Sequence, residues 1–405
     1  FPYTTLFRSN FLTTPPQGTL DQNTLTTQQG VEGTLIAAYR NLDWNTGVGG
    51  AWGHTASNWV WGSVPSDDAY KGSEATDQPA ITDIELYNWT TGQSDGYLND
   101  KWRGVYEGVN RANSTINLLR QVREDVPEEI SDADAESIEG EALFLRAHYH
   151  FEGWKMWENI PYYYETDEDF RKSNQGVDVI QNIIDDLDDA IALLPETPRN
   201  GEPGRADAWD ARAYKGKVEV FAGRYADGRA TLEEVVNNGP YELQDNFHQV
   251  WTGLSEFYNG PETILAFQAS VRDGDPGANN SNYGERLNFP HSGSPFGCCG
   301  FHQPTQNLVN FFKVDGSGLP LAMNTPSSVF DATETWNSDN SEFAAGDMTP
   351  VDPRLDWTVG RDGVPYKDWG EHESGWIRQQ SFGGPYSPKK NAHEEGSDAQ
   401  ANVGW

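Results

Sequence analysis

Residues 52–97 hold four tryptophans, Trp52, Trp59, Trp61 and Trp89, beside Asn58, Asp67, Asp68 and Lys71. Indole faces stack on apolar C–H surfaces, and amide, carboxylate and ammonium groups bond hydroxyls, so this mixture suits a sugar. The alternative is a satellite core, in which the indoles fold a long loop back onto helices and SDDAYKG forms a turn that ties it down. Asp67 and Asp68 also admit glycosidase-type chemistry, which needs two carboxylates flanking the scissile bond. Neither acid has a recognisable partner at a fixed spacing.

A second stretch, YGERLNFPHSGSPFGCCGFH at residues 283–302, combines glycine, proline and aromatic rings as a shaped loop would. Tyr283, Phe296, Cys298 and Cys299 are its candidate ligand-facing residues. Cysteines bonded to one another would close a small rigid ring, because consecutive Cα atoms lie only about 3.8 Å apart; two packed thiols are the alternative. Asp273-Gly-Asp275 begins like a calcium loop, but Gly284 stands where a bidentate glutamate is wanted. His148 and His150 are two apart on a helix and point to different faces, which argues against a shared metal. Ser387 to Lys390 reads as S-x-x-K without the companion motifs of that chemistry. No metal and no cofactor is expected.

These residues need a frame, and the helical periods supply one. Val31, Leu35 and Tyr39 mark a first helix, and Trp102, Val105, Val109, Ala112, Ile116 and Leu119 a second over Leu98–Val122. The central element is Ser137–Pro161, apolar around so much of its circumference that it must pack on more than one side. Pro161 ends it near Asn159 or Ile160, and Trp154 and Trp157 are read as core. Residues 124–139 hold eight acids and no base, read as a solvated connection whose later acids sit at this helix's N-terminus. Val177–Leu194 is another amphipathic helix. Ala206–Ala222 and Tyr225–Asn237 form a pair with small residues at Gly216, Gly223 and Gly228, the pattern of a tetratricopeptide-like repeat. Thr263–Val271 reads as a strand. Residues 43–97 and the chain beyond about 240 are irregular and aromatic-rich, and five tryptophans, Trp44 among them, argue against disorder in the first of these.

Composition narrows the partners. A net charge of −34 excludes nucleic acid, whose phosphates demand clustered Lys and Arg, and disfavours anionic lipid. An acidic surface suited to a saline habitat is an equally good account of that charge. Two adjacent cysteines exclude a disulfide scaffold. No apolar run is long enough to span a membrane. Phe1–Ser9, FPYTTLFRS, matches no targeting pattern and is read as an artefactual leader.

Eight segments in order resemble the SusD/RagB family of outer-membrane nutrient-binding lipoproteins of Bacteroidota. They are FLTTPPQGTLDQNTLTTQQGVEGTLIAAYRNL, SVPSDDAYKG, GVNRANSTINLL, EGEALFLRAHYHFEGWKMWENIP, ARAYKGKVEVFAGRYADGRATLEEVVNNGPYEL, GFHQPTQNLVNFF, VDPRLDWTVGRDGVPYKDWG and GGPYSPKKN, running from about residue 11 to 390. The resemblance implies a mainly α protein: a tetratricopeptide-like helical scaffold with long irregular insertions and minor β structure. It implies a helical region 10–240 carrying the Trp-rich loop 43–97, and an irregular region 241–405. It further implies a non-catalytic protein on the outer-membrane surface, held by a lipidated cysteine and capping a SusC-like TonB-dependent barrel. There it would capture an oligosaccharide, or in some members a peptide, for import. The lipid-bearing cysteine is absent here and the family continues beyond a KKN-like segment, so truncation at both ends is expected. The rivals are a glycoside hydrolase using Asp67 or Asp68 and a helical-repeat scaffold that binds protein only.

Overall fold

The helical periods of the sequence become helices whose neighbours in the chain are also neighbours in space. The structure is a computed structural model describing residues 25–42, 52–92, 94–270, 273–274, 283–291, 293–320 and 350–398. Phe1–Ser9, Trp44, Val271 and Asp275 lie outside the described residues. Helix α1 (Gln28–Arg40) starts where the Thr27 hydroxyl accepts from Gly30 N, and it buries Val31, Leu35 and Ala38. A short strand β1 (Ala69–Gly72) and helix α2 (Pro79–Glu85) interrupt the Trp-rich loop. Then come α3 (Asp95–Asp125), α4 (Asp132–Trp157), α5 (Val179–Leu193), α6 (Ala208–Phe221) and α7 (Tyr225–Asn238). Each of these packs on the next except that α1 lies on α3 and α4.

Helix α4 is the centre, buried from Ala135 to Gly153 on faces that meet α3 on one side and α5 on the other. It begins earlier than its apolar stripe suggests, because the Ser131 hydroxyl accepts from Asp134 N and Asp132 and Asp134 occupy the first turn. It stops at Trp157, a turn before Pro161, where Glu158 takes φ +53°. Trp154 and Trp157 pack against the core, as expected of core residues. The α6–α7 pair depends on small residues: a Cβ on Gly216 would meet Leu232 of α7 at 2.6 Å, and Gly223 makes the turn at φ +75°.

The scaffold also buries charge in pairs. Arg146 of α4 donates Nε and Nη2 to the two Asp186 oxygens at 2.7 and 2.6 Å, and Nη1 to Glu165 at 2.5 Å. Glu141, wholly buried, receives Arg199 and Arg205, which both also reach Glu32. Of the two histidines of α4, His150 is core and His148 half-buried. His150 stacks on Tyr162 at 3.7 Å and His148 meets the Tyr214 hydroxyl at 2.7 Å; burial depresses them to about 3 and about 4, so both stay neutral.

Beyond α7 regular structure is sparse. Strand β2 (Phe301–Pro304) pairs antiparallel with β1, Ala69 opposite Pro304 and Gly72 opposite Phe301. Helix α8 (Gln306–Asn310) follows, capped by Thr305. Later come α9 (Leu355–Thr358), β3 (Val359–Gly360), α10 (Gln380–Gly383) and β4 (Ser387–Pro388), with β3 paired to β4. The expected strand Thr263–Val271 does not form: residues 263–270 have no ladder, because β-prone composition makes a strand only where a partner edge is present. Small apolar clusters hold this part, one of Phe289, Phe296, Tyr366, Trp376 and Ala392 and one of Val309, Leu355, Val359 and Tyr386.

Candidate ligand-binding face

The Trp-rich loop is pinned to the scaffold through one amide. Asn58, at φ +56°, donates Nδ2 to Glu152 of α4 at 2.7 Å and accepts at Oδ1 from Lys101 of α3 at 2.6 Å. Burial alone would raise the Glu152 carboxyl, but Lys101 and Lys155 beside it hold it well below the usual carboxylate range. One residue on, Trp59 drops into an apolar cluster with Val60, Val64, Ile81, Ile84, Leu287 and Phe301. Its indole N–H donates to Gly284 O at 3.3 Å and so holds the turn Tyr283–Glu285 from beneath.

Around this floor runs a half-buried rim of Trp52, Trp61, Tyr97 and Cys299. Trp52 and Tyr283 stack in parallel, 5.6 Å between centroids and 6° between planes, and the Arg286 guanidinium lies 4.8 Å from the Tyr283 ring centre. The Trp61 indole N–H donates to Gly53 O at 2.7 Å, and Tyr97 donates its hydroxyl to Gln78 at 2.7 Å, so both rings are fixed. Cys298 and Cys299 are bonded to one another across a cis peptide. Cys298 is exposed and Cys299 rests on the cluster. Two remote stretches of sequence thus converge on one aromatic rim.

The SDDAYKG turn takes the structural of its two expected roles, tying the loop down. Asp67, at φ +74°, accepts at its carbonyl from the Thr305 hydroxyl at 2.6 Å, and its carboxylate takes the Asn307 amide. Asp68 O accepts from Thr305 N at 3.0 Å, and burial raises its carboxyl above the ordinary value. Lys71 is 0% exposed: its ammonium donates to Glu74 O at 2.6 Å and Asp77 O at 2.5 Å and sits 4.8 Å from the Phe382 ring centre. The turn therefore stitches β1 to β2 and α8. Beside it opens a hollow of about 740 Å³, lined among others by Asp67, Tyr70, Glu85, Tyr87, Gln306 and Phe382.

Three expected contacts are corrected. Trp59 is 0% exposed and Phe296 1%, so both are cluster cores with no ring face for a ligand, and Lys71 has no route to a hydroxyl. Trp89 is 48% exposed and leans on Tyr87 at 5.6 Å, apart from the Trp52 cluster. Tyr97, Arg286, Tyr70 and Phe382 were not picked out from the sequence. Their common signal was adjacency to segments already singled out, Tyr70 inside SDDAYKG and Arg286 inside YGERLNFPH. Among the described residues no group of three or more His, Cys, Asp or Glu is placed to hold a metal, and no helix is long and apolar enough to cross a membrane.

Two family models match the chain. One, described as starch-binding and associating with the outer membrane, covers residues 54–218, and the SusD family model covers residues 261–405. A SusD-like protein of Bacteroides ovatus is 27% identical over 189 residues, which is 43% of this chain and 33% of that protein. The match thus spans about a third of that relative's length. A solved SusD-like protein of Bacteroides fragilis superposes with TM-score 0.66 at 18% identity, over 92% of this chain and 69% of that one. Surface glycan-binding protein A of Bacteroides thetaiotaomicron, in complex with laminarihexaose, superposes with TM-score 0.60 at 17% identity, over 93% and 74%. At these identities the superpositions establish the fold.

Proposed function

The chain belongs to the SusD/RagB family, and we propose from that premise and from the rim above that it is a non-catalytic surface protein capturing an oligosaccharide for import through a TonB-dependent outer-membrane barrel. One observation carries the reading: Trp52 and Tyr283, far apart in sequence, are brought into parallel contact at a half-buried rim with Arg286 over the tyrosine. Fixed aromatic faces edged by polar groups are what sugar rings stack on, and rings already held by Gly53 O and Gln78 lose little freedom when a ligand binds. Trp52, Trp61 and Tyr283, with the exposed Cys298 and the half-buried Cys299, form the contact set of the proposal. Asp67 and Asp68 hold the loop, and Trp89 with Tyr87 makes a separate outer contact.

The non-catalytic part of the proposal rests on the family, and the bonding of two carboxylates in the hollow is in keeping with it. Asp67 is bonded to Asn307, and Glu85 accepts from Lys71 N at 2.9 Å, so both acids are committed to holding backbone and loop. A hydrolase needs one such group to give and another to accept a proton at a bound glycosidic oxygen and water. An anchored location on the outer membrane and a SusC-like partner belong to the same proposal, as does the division near residue 240 between a helical scaffold and an irregular part. Laminarin oligosaccharides are the first probes, because a fold relative was solved with laminarihexaose. A glycan array read alongside reducing-sugar release tests the reading: binding without release is expected, release would make the protein a hydrolase, and no glycan bound would refute the proposal.

A further inference from the structure

Further along the helix that carries Tyr97 of the rim, α3 bears a stripe that is aromatic at one end and amide-bearing at the other. Trp102 and Tyr106 are followed at helical spacing by Asn110, Asn113 and Asn117. Opposite it runs the segment 163–170, and between them lies a hollow of about 420 Å³, within the ~300–1,000 Å³ of small-molecule sites. Its rim rings are exposed where core rings would not be: Phe170 is 85% exposed and Trp102 37%. The backing is rigid. Tyr163 donates its hydroxyl to Phe170 O at 2.9 Å, Asn113 donates to Tyr163 O at 3.1 Å, and Trp102 is wedged edge-on against Trp157 at 5.0 Å.

The charges say what kind of ligand fits. The two carboxylates lining the hollow are already paired, Glu165 with Arg120 and Arg146, and Asp167 with Lys172. With Glu139 and Asp186 also held by Arg120 and Arg146, these charges are paired off among themselves, so the hollow offers a ligand no free carboxylate of its lining, and an anion would approach a chain of net charge −34. A purely apolar group would strip water from amides it cannot satisfy. Asn117 donates to Glu165 O at 2.8 Å, leaving its side-chain oxygen without a partner among the described residues, and Asn110 stands exposed between the rings and that oxygen. We propose that this hollow on the helical scaffold is a second carbohydrate subsite, which takes the end of a neutral saccharide by stacking on Trp102 and bonding to Asn110 and Asn117. It rests on the glycan-binding reading only for its choice of ligand class.

The test is the Trp102 indole N–H resonance, followed while laminaribiose, methyl β-glucoside and tetramethylammonium are titrated into wild type and Trp52→Ala. The saccharides are expected to shift it equally in both proteins, and the shift should weaken about tenfold in Asn110→Ala. Phe170→Ala, at a position 85% exposed and so outside the core, should weaken it in the same direction. A Trp102 signal that stays still while wild type binds laminarihexaose through Trp52 overturns the second subsite and leaves the function intact. A Trp102 shift with no binding at Trp52 overturns the rim and keeps the subsite. A shift with tetramethylammonium alone overturns the saccharide assignment in favour of a cationic partner group, and no shift with any probe overturns the subsite outright.

Discussion

The helical scaffold and the irregular part bury cations in opposite ways. In the scaffold the partners are carboxylates: Arg146 with Asp186 and Glu165, Arg199 and Arg205 with Glu141, Lys101 with Glu152. In the irregular part they are mainly backbone carbonyls: Lys71 with Glu74 O and Asp77 O, Lys389 with Asp356 O and Pro365 O, and Lys367 with Trp251 O as well as Glu394. The reason is in the backbone. A helix spends its carbonyls on its own i→i−4 bonds, whereas a buried loop leaves them pointing inward without donors. A lysine has three donors on a flexible stem and can tie two such carbonyls at once. The electrostatic result differs too. Burial would lower Arg146, but Asp186 raises it above its ordinary value, while Lys389 hydrogen-bonds to carbonyls and burial, outweighing the Asp356 charge, takes it down to about 8.

The contrast can be broken by substitution. Arg146→Met should have the largest effect, about 3–5 kcal/mol of lost stability, because it leaves Asp186 buried and unpaired. Urea denaturation followed by far-ultraviolet circular dichroism measures it, and a loss no greater than that of Lys71→Met would remove the distinction. Trp59→Ala belongs to the same class at about 3–5 kcal/mol, since it empties the floor of the rim. Lys71→Met should cost about 1–3 kcal/mol, the desolvation of carbonyls left without a donor. Trp52→Ala should leave the denaturation midpoint unchanged and weaken oligosaccharide affinity about tenfold by calorimetry, or ~1.4 kcal/mol. A fall in stability with affinity kept would return Trp52 to the core.

The smallest effect is on pH. Lys389 has a folded value of about 8 against its ordinary 10.5, so between those limits the unfolded chain holds a proton that the folded chain does not. Stability should therefore rise with pH across that window and lose the slope in Lys389→Met. A wild-type midpoint that falls over the same window, after subtraction of the variant, would contradict the assignment.

What the sequence made legible was whatever repeats. The apolar period located α1 and α3 to α7 to within a few residues, and the family order located the irregular segments. The two-to-four-residue strands were invisible, because Ala69–Gly72 becomes β1 only through a partner at Phe301–Pro304. The same dependence on a distant partner defeated Thr263–Val271 in the other direction. Trp52 and Trp59 differ in nothing a sequence displays, yet one lines the rim and the other the floor. Whether an aromatic residue in a loop is exposed is decided by which other loop lands on it. Of the two readings open for Lys71, ligand contact or a loop tie, the structure takes the second, and the sequence could not choose because its carbonyl partners have no signature in side-chain composition.

The pairing of β1 with β2 has a consequence for the order in which the molecule assembles. The scaffold's helices touch their chain neighbours and can form as the polypeptide lengthens, but Tyr70 meets Gln303, and Trp59 meets Gly284, only after both halves exist. Closing so long a loop costs entropy before any contact repays it, so the aromatic rim forms late on a scaffold already standing. Tryptophans left bare before that closure would be surface open to proteolysis and aggregation.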